Sequence, residues 1–454
     1  MSNNRVAIIG AGPAGLATGR VLKLLGIPFT IFEKHSGVGG IWDRSNAGSP
    51  MYRSAHFISS KTMSGHVGYP MPDHYPDYPS NGQILDYIRS FASAYHLTPH
   101  IRFNTAIESV ERDGETWVID AAGEEKEAFR WLVCASGTTW FPNRPALRGE
   151  ETFNGEIMHS VSYGDSDMLR DKRVLVVGAG NSGVDIACDA AFAAQSAHIS
   201  LRRGYHFIPK HIFGLPADVF AKKTGGGPMW LEQAVFGAML RVLNGDLTRL
   251  GLQKPDHKVM SSHPIMNTQI LHYLQHGDLK AHQDINYLDG DTVHFVDGSS
   301  LDVDLIILAT GYRWHVPYLP EETFQWRNSR PELYLNVFAP AQPSLFVNGF
   351  IETNGGAYHL FDDMGYLIGK TIESQYRQLP EAKTIIDTIQ EPAPNLSGKI
   401  KFVESARHTN YANGETFEHE MKKFRKKFGW PELEDLLKRS ESVLNGEIEE
   451  PAFA

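Results

Sequence analysis

The sequence predicts an α/β fold of two parallel-sheet domains, the second inserted into the first. Three observations carry that expectation. A glycine loop, Gly10-Ala11-Gly12-Pro13-Ala14-Gly15, follows the apolar run Val6-Ala7-Ile8-Ile9. A second loop, Gly178-Ala179-Gly180-Asn181-Ser182-Gly183, follows Val174-Leu175-Val176-Val177. A helix-like segment comes after each, so both loops are turns of strand–loop–helix units. In such a loop the first glycine permits the tight turn. The second lets the backbone approach a pyrophosphate, and the third lets helix pack on strand. The pyrophosphate rests on free N–H groups at the helix N-terminus. Two such Rossmann-like units imply two nucleotide cofactors with electrons passing between them.

After the first loop an apolar helix runs from Leu16 to Leu25 and stops at Gly26. The strand Phe29-Thr30-Ile31-Phe32 then ends in Glu33, followed by Lys34. An acid about 20 residues past the loop holds a ribose hydroxyl pair and repels an extra phosphate. The stretch Tyr69 to Asn81 is dense in Pro, Tyr and Asp and reads as an irregular surface loop. Ile84, Leu85, Tyr87, Ile88 and Phe91 have helical spacing. From Ile101 to Val133 a meander of short strands turns at Asp113-Gly114 and Ala122-Gly123. Leu132 to Ala135 forms an apolar strand, and its small-residue turn places Ser136 and Gly137 beside the first cofactor.

A linker rich in Pro, Arg and Gly spans Phe141 to Gly149. In the second unit the matching strand, Ala197 to Leu201, ends in Arg202-Arg203. Two cations where the first unit has an acid suit a 2′-phosphate; the plain alternative is a solvated loop. The assignment is FAD at the first site and NADPH at the second. The hairpin signal Asp297-Gly298 precedes a last apolar strand, Val303 to Leu308. The expected limits are 1–167 for the first part of the FAD domain and 168–304 for the NADPH domain, with a helical insertion at about 205–281. Residues 305–454 supply the rest of the FAD domain and the C-terminal helices. In Glu415 to Leu444, Phe417, Met421, Phe424 and Phe428 form one apolar face. Lys422, Lys423, Arg425, Lys426 and Lys427 read as a solvated outer face.

A net charge of −10 argues against nucleic acid or an anionic membrane as main partner. The only cysteines, Cys134 and Cys188, make no disulfide framework and no CxxC pair. A reduced, cytoplasmic setting is expected. No apolar run approaches the ~20 residues of a membrane span, and no metal site is expected.

Between the loops, Phe153-Asn154-Gly155-Glu156-Ile157-Met158-His159-Ser160-Val161-Ser162-Tyr163 matches FxGxxxHxxx(Y/F), and Ala309-Thr310-Gly311-Tyr312 matches ATGY. With Gly39-Gly40-Ile41-Trp42, Met51-Tyr52-Arg53 and Phe346 to Phe350, the chain resembles the flavin-containing monooxygenases, a group of class B flavoprotein monooxygenases, over most of its length. The resemblance implies that NADPH reduces FAD and that O2 adds to the reduced flavin as a C4a-(hydro)peroxide shielded by NADP⁺. The terminal oxygen then passes to a small soft nucleophile, an amine nitrogen or a sulfide sulfur. A homodimer is also common among such enzymes. Gly40, Ile41, Trp42 and Tyr52 fall near FAD, although core packing accounts equally well for Trp42 and Tyr52. Thr310, Gly311 and Tyr312 form a crossing between domains at the NADPH site. His159 reads as a linker residue that positions NADPH, since a base must lie within hydrogen-bond reach of the flavin centre.

Two departures carry expectations. Where the family places an Asn after the MYR-like stretch, this sequence has Ile58. Ile has no donor or acceptor. Either His56, Ser59 or Ser60 takes over, or NADP⁺ alone holds the peroxide, or the chemistry differs; the expectation is weaker peroxide retention. Family members often have Gln where Glu352 stands, and a carboxylate beside the flavin would disfavour an anionic reduced ring. Three rival functions follow. Baeyer–Villiger oxidation of ketones uses the same scaffold, usually with Trp at the place of Tyr163. A largely uncoupled NADPH oxidase would follow from Ile58. A disulfide reductase needs a close cysteine pair, which Cys134 and Cys188 do not make.

Overall fold

Short strands, buried at every position but Arg173, seed two separate sheets, as parallel sheets covered on both faces require. The computed structural model describes residues 3–444. Residues 1–2 and 445–454, the outer ends of the first and last expected segments, lie outside the described residues.

The chain opens with β1 (Val6–Ile9), α1 (Pro13–Leu24) and β2 (Phe29–Phe32). A single turn, α2 (Lys61–Ser64), and the amphipathic α3 (Asn81–Ala94) lead to β3 (Ile101–Arg102). The meander β4 (Ile107–Asp113), β5 (Thr116–Ala121) and β6 (Glu127–Phe129) precedes β7 (Trp131–Cys134) and the short β8 (Phe141–Pro142). Next come β9 (Glu156–His159), β10 (Arg173–Val177), α4 (Asn181–Ala193) and β11 (Ser196–Ser200). An excursion carries the hairpin β12 (His211–Ile212) and β13 (Leu215–Pro216), then α5 (Ala217–Thr224) and α6 (Met229–Asn244). It returns through α7 (Gln269–His276) and β14 (Leu279–His282). A second meander, β15 (Ile285–Asp289), β16 (Thr292–Phe295) and β17 (Ser300–Asp302), leads to β18 (Leu305–Leu308). After β19 (Tyr312–Arg313) come the hairpin β20 (Trp326–Arg327) and β21 (Arg330–Pro331), β22 (Leu345–Val347), and α8 (Tyr358–Tyr376). The helices α9 (Glu381–Ile389), α10 (Gly414–Lys427) and α11 (Leu433–Leu444) finish the fold.

The sheets have strand orders β22-β7-β1-β2-β3 and β14-β11-β10-β18-β9, and every pairing in both is parallel. In each, the strand that feeds a glycine loop lies at the centre. The expected nesting of one unit in the other is present, but its limits move. β9 pairs with β18, so both belong to the second sheet. The chain passes between units at the ribbon of β8 and β19, where Tyr312 faces Pro142 and Arg313 faces Phe141, rather than at 167/168 and 304/305. The insertion also ends before residue 281, because β14 pairs with β11 and α7 packs on α4. Sheet membership of a short apolar run depends on a partner far away in sequence, which local pattern does not reveal. Among the described residues no helix is long and apolar enough to cross a membrane.

The first unit has a charged core. Arg20 on α1 pairs with Asp362 on α8 at 2.8 Å, and His66 Nδ1 lies 3.0 Å from the same carboxylate, all three side chains being fully buried. The Val67 N–H donates to Asp362 at 2.7 Å. Burial alone would raise the Asp362 carboxyl; His66 and Arg20 more than offset it and hold the group below its ordinary range. In α10, Phe417, Met421 and Phe424 are buried as expected, but Arg425 is buried too and pairs with Glu432. That cation leaves the solvated face because Glu432, just ahead of α11, draws it inward.

Asp363 has the opposite balance. Burial, and then the charge of Asp362, push its carboxyl up to about 7. Between the ordinary Asp value and 7 the folded protein therefore binds a proton that the unfolded chain releases, so this residue costs stability as pH rises through that window. Asp363→Asn should raise the melting temperature relative to wild type, with a margin that grows from pH 5 to pH 8. Thermal unfolding at both pH values checks it; a margin independent of pH would contradict it.

Candidate active site

The first loop is shaped for close approach. Gly10 has φ +110°, and a Cβ there would lie 2.5 Å from the Ala135 carbonyl oxygen; one on Gly15 would lie 1.9 Å from that of Gly10. Helix α1 starts at Pro13 with no side-chain cap on Gly12. Ala14 and the residues after it thus begin a helix whose first N–H groups are left for an outside acceptor. Gly40 lies over Gly12, with 3.2 Å between its notional Cβ and the Gly12 Cα. Glu33 is buried at the end of β2. Its Oε2 accepts from the Ala11 N–H at 2.8 Å and its Oε1 from the His35 N–H at 2.9 Å, which fixes the carboxylate against the loop. Lys34 is exposed and sets its ammonium 4.2 Å from the Trp140 ring centre. The Ser136-Gly137 turn reaches the same indole, at 3.3 Å from a notional Gly137 Cβ. Sequence reasoning missed Trp140; an aromatic residue just after a small-residue turn was the available signal. Ile41 and Trp42 form a tight turn. The Trp42 ring meets Phe57 at 5.2 Å, and Phe57 meets Tyr358 at 5.4 Å, so Trp42 packs between the loop and the start of α8.

The second loop repeats the geometry. Gly178 has φ +104° with a notional Cβ 2.7 Å from the Ala309 carbonyl oxygen, and one on Gly183 would lie 2.1 Å from that of Gly178. Helix α4 follows Gly180 without a side-chain cap. Asn181 closes the 264–266 segment over the loop, donating to the Pro264 carbonyl at 3.0 Å and accepting from the Met266 N–H at 2.9 Å. At the end of β11, Arg202 is exposed and Arg203 is half-buried, its Nε enclosed without a hydrogen-bond partner. An enclosed, unspent guanidinium nitrogen fits a phosphate oxygen. Free N–H groups, close-approach glycines and the Glu33/Arg203 contrast fit a plain dinucleotide at one loop and a phosphorylated one at the other. Among the described residues no group of three or more His, Cys, Asp or Glu can hold a metal ion.

The two units are clamped through α4. Tyr52, for which lining FAD and core packing were equally open, has its ring in the core of the second unit, and its hydroxyl donates to Asp185 at 2.9 Å. Ser54 donates to Asp189 at 2.6 Å and Tyr163 donates to the same oxygen at 2.8 Å. Asp185 and Asp189 stand one helical turn apart on one face, which is why the 52–54 segment turns toward α4. Burial raises the Asp185 carboxyl despite its bonds from Asn267 and Tyr52. His159 is buried; its Nδ1 accepts from the Val161 N–H at 3.1 Å and its Nε2 lies 3.1 Å from the Gly311 carbonyl. Burial lowers its pKa, so the neutral ring donates from Nε2 and joins the two linkers. Thr310 donates to the Asn143 carbonyl at 2.5 Å, and the Asn143 N–H donates to the Gly311 carbonyl at 2.9 Å.

The four residues expected around the reacting flavin atom separate. His56 is exposed and bonds the Ser54 carbonyl of its own loop at 2.8 Å. Ile58 packs on the insertion's apolar cluster with Ile212, Ala217, Leu240 and Met266. Ser59 accepts from Ser64 at 2.7 Å. The Ser60 N–H donates to Asp218 at 2.6 Å, while its hydroxyl is fully buried without a partner. Ser60 alone of the four keeps an unspent, enclosed polar atom. Ser182 stays at the loop, on the first turn of α4.

The charge expected of Glu352 is overturned. Its two oxygens are shared between Arg330, at 3.1 Å, and Arg407, at 2.5 Å. Arg330 is 2% exposed and its guanidinium carbon lies 4.0 Å from the Trp314 ring centre. Two cations around one carboxylate make the cluster positive, so any anion beside it is attracted, not repelled. The arginines lie 22 and 55 residues away in the chain, beyond local reading. Behind this cluster a cavity of about 800 Å³ is lined by Tyr334, Asn336, Phe402, His408 and Tyr411 among others. None of its lining residues belongs to either glycine loop.

Two parallel-sheet units, each with an uncapped glycine loop, joined at the β8–β19 ribbon and clamped through α4, have the architecture of an oxidoreductase with dinucleotide-binding domains. The chain belongs to the flavin-binding monooxygenase-like family, whose model matches residues 3–425, and it is a monooxygenase of the flavin-containing class. It is 31% identical over 361 residues to the probable indole-3-pyruvate monooxygenase YUCCA9 of Arabidopsis thaliana, covering 76% of this chain and 84% of that one. It is 29% identical over 443 residues to flavin-containing monooxygenase 5 of Oryctolagus cuniculus, covering 90% and 80%. The fold is shared with the S-allyl-L-cysteine S-oxygenase of Allium sativum, at a TM-score of 0.64 and 20% identity over 98% of this chain and 94% of that one.

Removing Glu352 would leave the buried Arg330 cation without its acceptor. Glu352→Ala should cost about 3 kcal/mol of stability, and Glu352→Gln less because one acceptor oxygen remains. Denaturant unfolding of both variants measures this; equal, small losses would contradict the pairing.

Proposed function

We propose that the protein is an FAD- and NADPH-dependent monooxygenase that transfers one atom of O2 to a small soft nucleophile, an amine nitrogen or a sulfide sulfur. One observation carries the reading: two close-approach glycine loops, one ending its unit's second strand in Glu33 and the other in Arg202-Arg203, held across a clamped joint. Bound flavin supplies oxygen activation, with reducing equivalents from the nicotinamide.

The chain's own residues bind and orient. The N-termini of α1 and α4 hold the two pyrophosphates. Glu33 takes the ribose hydroxyls of FAD, and Arg203 takes the 2′-phosphate of NADPH. Gly40, Ile41, Lys34, Ser136 and Gly137 wall the first nucleotide, and Thr310 and Gly311 border the second. Ile58 and the apolar cluster of the insertion keep water from the cleft. The positive Arg330–Glu352–Arg407 cluster favours an anion beside it. The names of the relatives, both monooxygenases, support the reaction type.

Turnover with NADPH on thioanisole, trimethylamine and cyclohexanone, with peroxide release recorded, tests the reading. Sulfoxide or N-oxide formed in step with NADPH use is the expected result. A lactone as main product, or peroxide without oxygenated product, would contradict it. Arg203→Ala should raise KM for NADPH by about tenfold or more, the scale of a lost charge-assisted phosphate contact, and leave KM for NADH unchanged. Steady-state kinetics with both nucleotides decides this.

A further inference from the structure

The cavity of about 800 Å³ lies between the β20–β21 hairpin, the 391–397 segment after α9 and the 402–411 segment ahead of α10. Its volume is that of a small-molecule site, and its chemistry is unlike that of either glycine loop. Three rings wall it. Tyr334 is half-buried, and the Phe402 ring meets Tyr411 at 4.7 Å. His408 accepts from the His263 N–H at 3.0 Å and bonds Ser405 at 2.7 Å, and the Tyr411 hydroxyl lies 2.9 Å from His263 Nδ1. Both side chains therefore offer the cavity ring surface rather than polar atoms.

The rim is acidic. Glu322, Glu332 and Glu391 line the cavity and are exposed, against one cation, Arg327. Arg327 is spent on Glu332 at 3.4 Å and on Asn410 at 3.3 Å. Lys427, from outside the lining, approaches Glu391 only to 3.8 Å. The negative field reaches Tyr334, whose phenol is pushed up by burial and then by the charges of Glu391 and Glu420. One polar group of the lining is unspent. Asn336 is 6% exposed, and its Nδ2 is enclosed without a hydrogen-bond partner. A tight turn holds it there. Leu335 and Asn336 both have φ +52°, and the Val337 N–H donates to the Tyr334 carbonyl at 3.1 Å. Leucine rarely adopts that backbone, so the turn is kept at a cost of the kind found at ligand sites.

We propose that this cavity binds an organic ammonium ion that carries an oxygen acceptor, the cation held by the aromatic wall and acidic rim and the oxygen accepting from Asn336 Nδ2. Aromatic faces attract quaternary and protonated amines, and the three carboxylates add to the pull. The same charges disfavour an anion. Arg330 and Arg407 do not line the cavity, and both are engaged by Glu352. The inference does not rest on oxygen transfer. A quaternary ammonium has no lone pair on nitrogen to accept an oxygen atom, and no lining residue belongs to a glycine loop.

Titration calorimetry of the flavin-loaded full chain with benzoylcholine, which pairs a quaternary ammonium with an ester carbonyl, tests this. Binding should saturate below about 1 mM and be unchanged by saturating NADP⁺. It should be about tenfold or more tighter than binding of the neutral ester in which carbon replaces the nitrogen. Glu322→Gln combined with Glu391→Gln should weaken benzoylcholine about fivefold or more, with an unchanged melting temperature, because both side chains are exposed. Asn336→Gly keeps the left-handed backbone and removes the amide. It should weaken benzoylcholine but not phenylbutyltrimethylammonium, which has no oxygen. No saturation below about 1 mM, equal affinity for the neutral ester, an unchanged affinity in the double glutamine variant, an Asn336→Gly loss shared by both cations, or displacement by NADP⁺ would overturn the proposal.

Discussion

One carboxylate oxygen, on Asp189, receives hydroxyls from Ser54 and Tyr163. With Tyr52 on Asp185 a turn earlier, this fixes one nucleotide unit against the other. Charge-assisted bonds of this kind are short and directional, and they act on the very helix whose N-terminus opens at the second loop. Any slip of the 52–54 segment along α4 would change the distance between the loops. The signature histidine works in the same sense. His159 spends both ring nitrogens on the linkers, so the motif that marks the family serves as a joint.

The electrostatics follow a simple division. Each glycine loop opens onto the positive end of a helix, and the strand that follows ends in an acid, Glu33, in one unit and in the cations Arg202-Arg203 in the other. Around Glu352 the balance is positive because two arginines share it. A residue that looks acidic in the chain thus belongs to a cationic wall. Buried charges elsewhere are handled by pairing, as with Arg20, Asp362 and His66, which tie α1, α8 and the 64–67 segment into one block.

The glycine loops and the position of Glu33 and Arg202-Arg203 at strand ends were legible because strand, turn and helix lie next to one another in the chain. The limits of the units were not, since β9 and β18 show which sheet they join only when paired. The partner of Tyr52 was hidden for the same reason, its acceptor lying 133 residues away. Glu352 was misread because a carboxylate's charge in a site depends on its neighbours. Trp140 escaped because nothing in its own residue type links it to Lys34 and Gly137. Ile58 was read as a position without a polar group; that its apolar side chain also packs on the insertion could not be read from the chain.

The proposed reaction requires one chain to hold two nucleotides close enough for electrons to cross. An anaerobic titration of the flavin-loaded protein with NADPH, followed by visible absorbance, tests it most directly. The yellow colour should bleach with one equivalent of NADPH per flavin. Protein that refuses FAD, or that keeps its colour under excess NADPH, would contradict it.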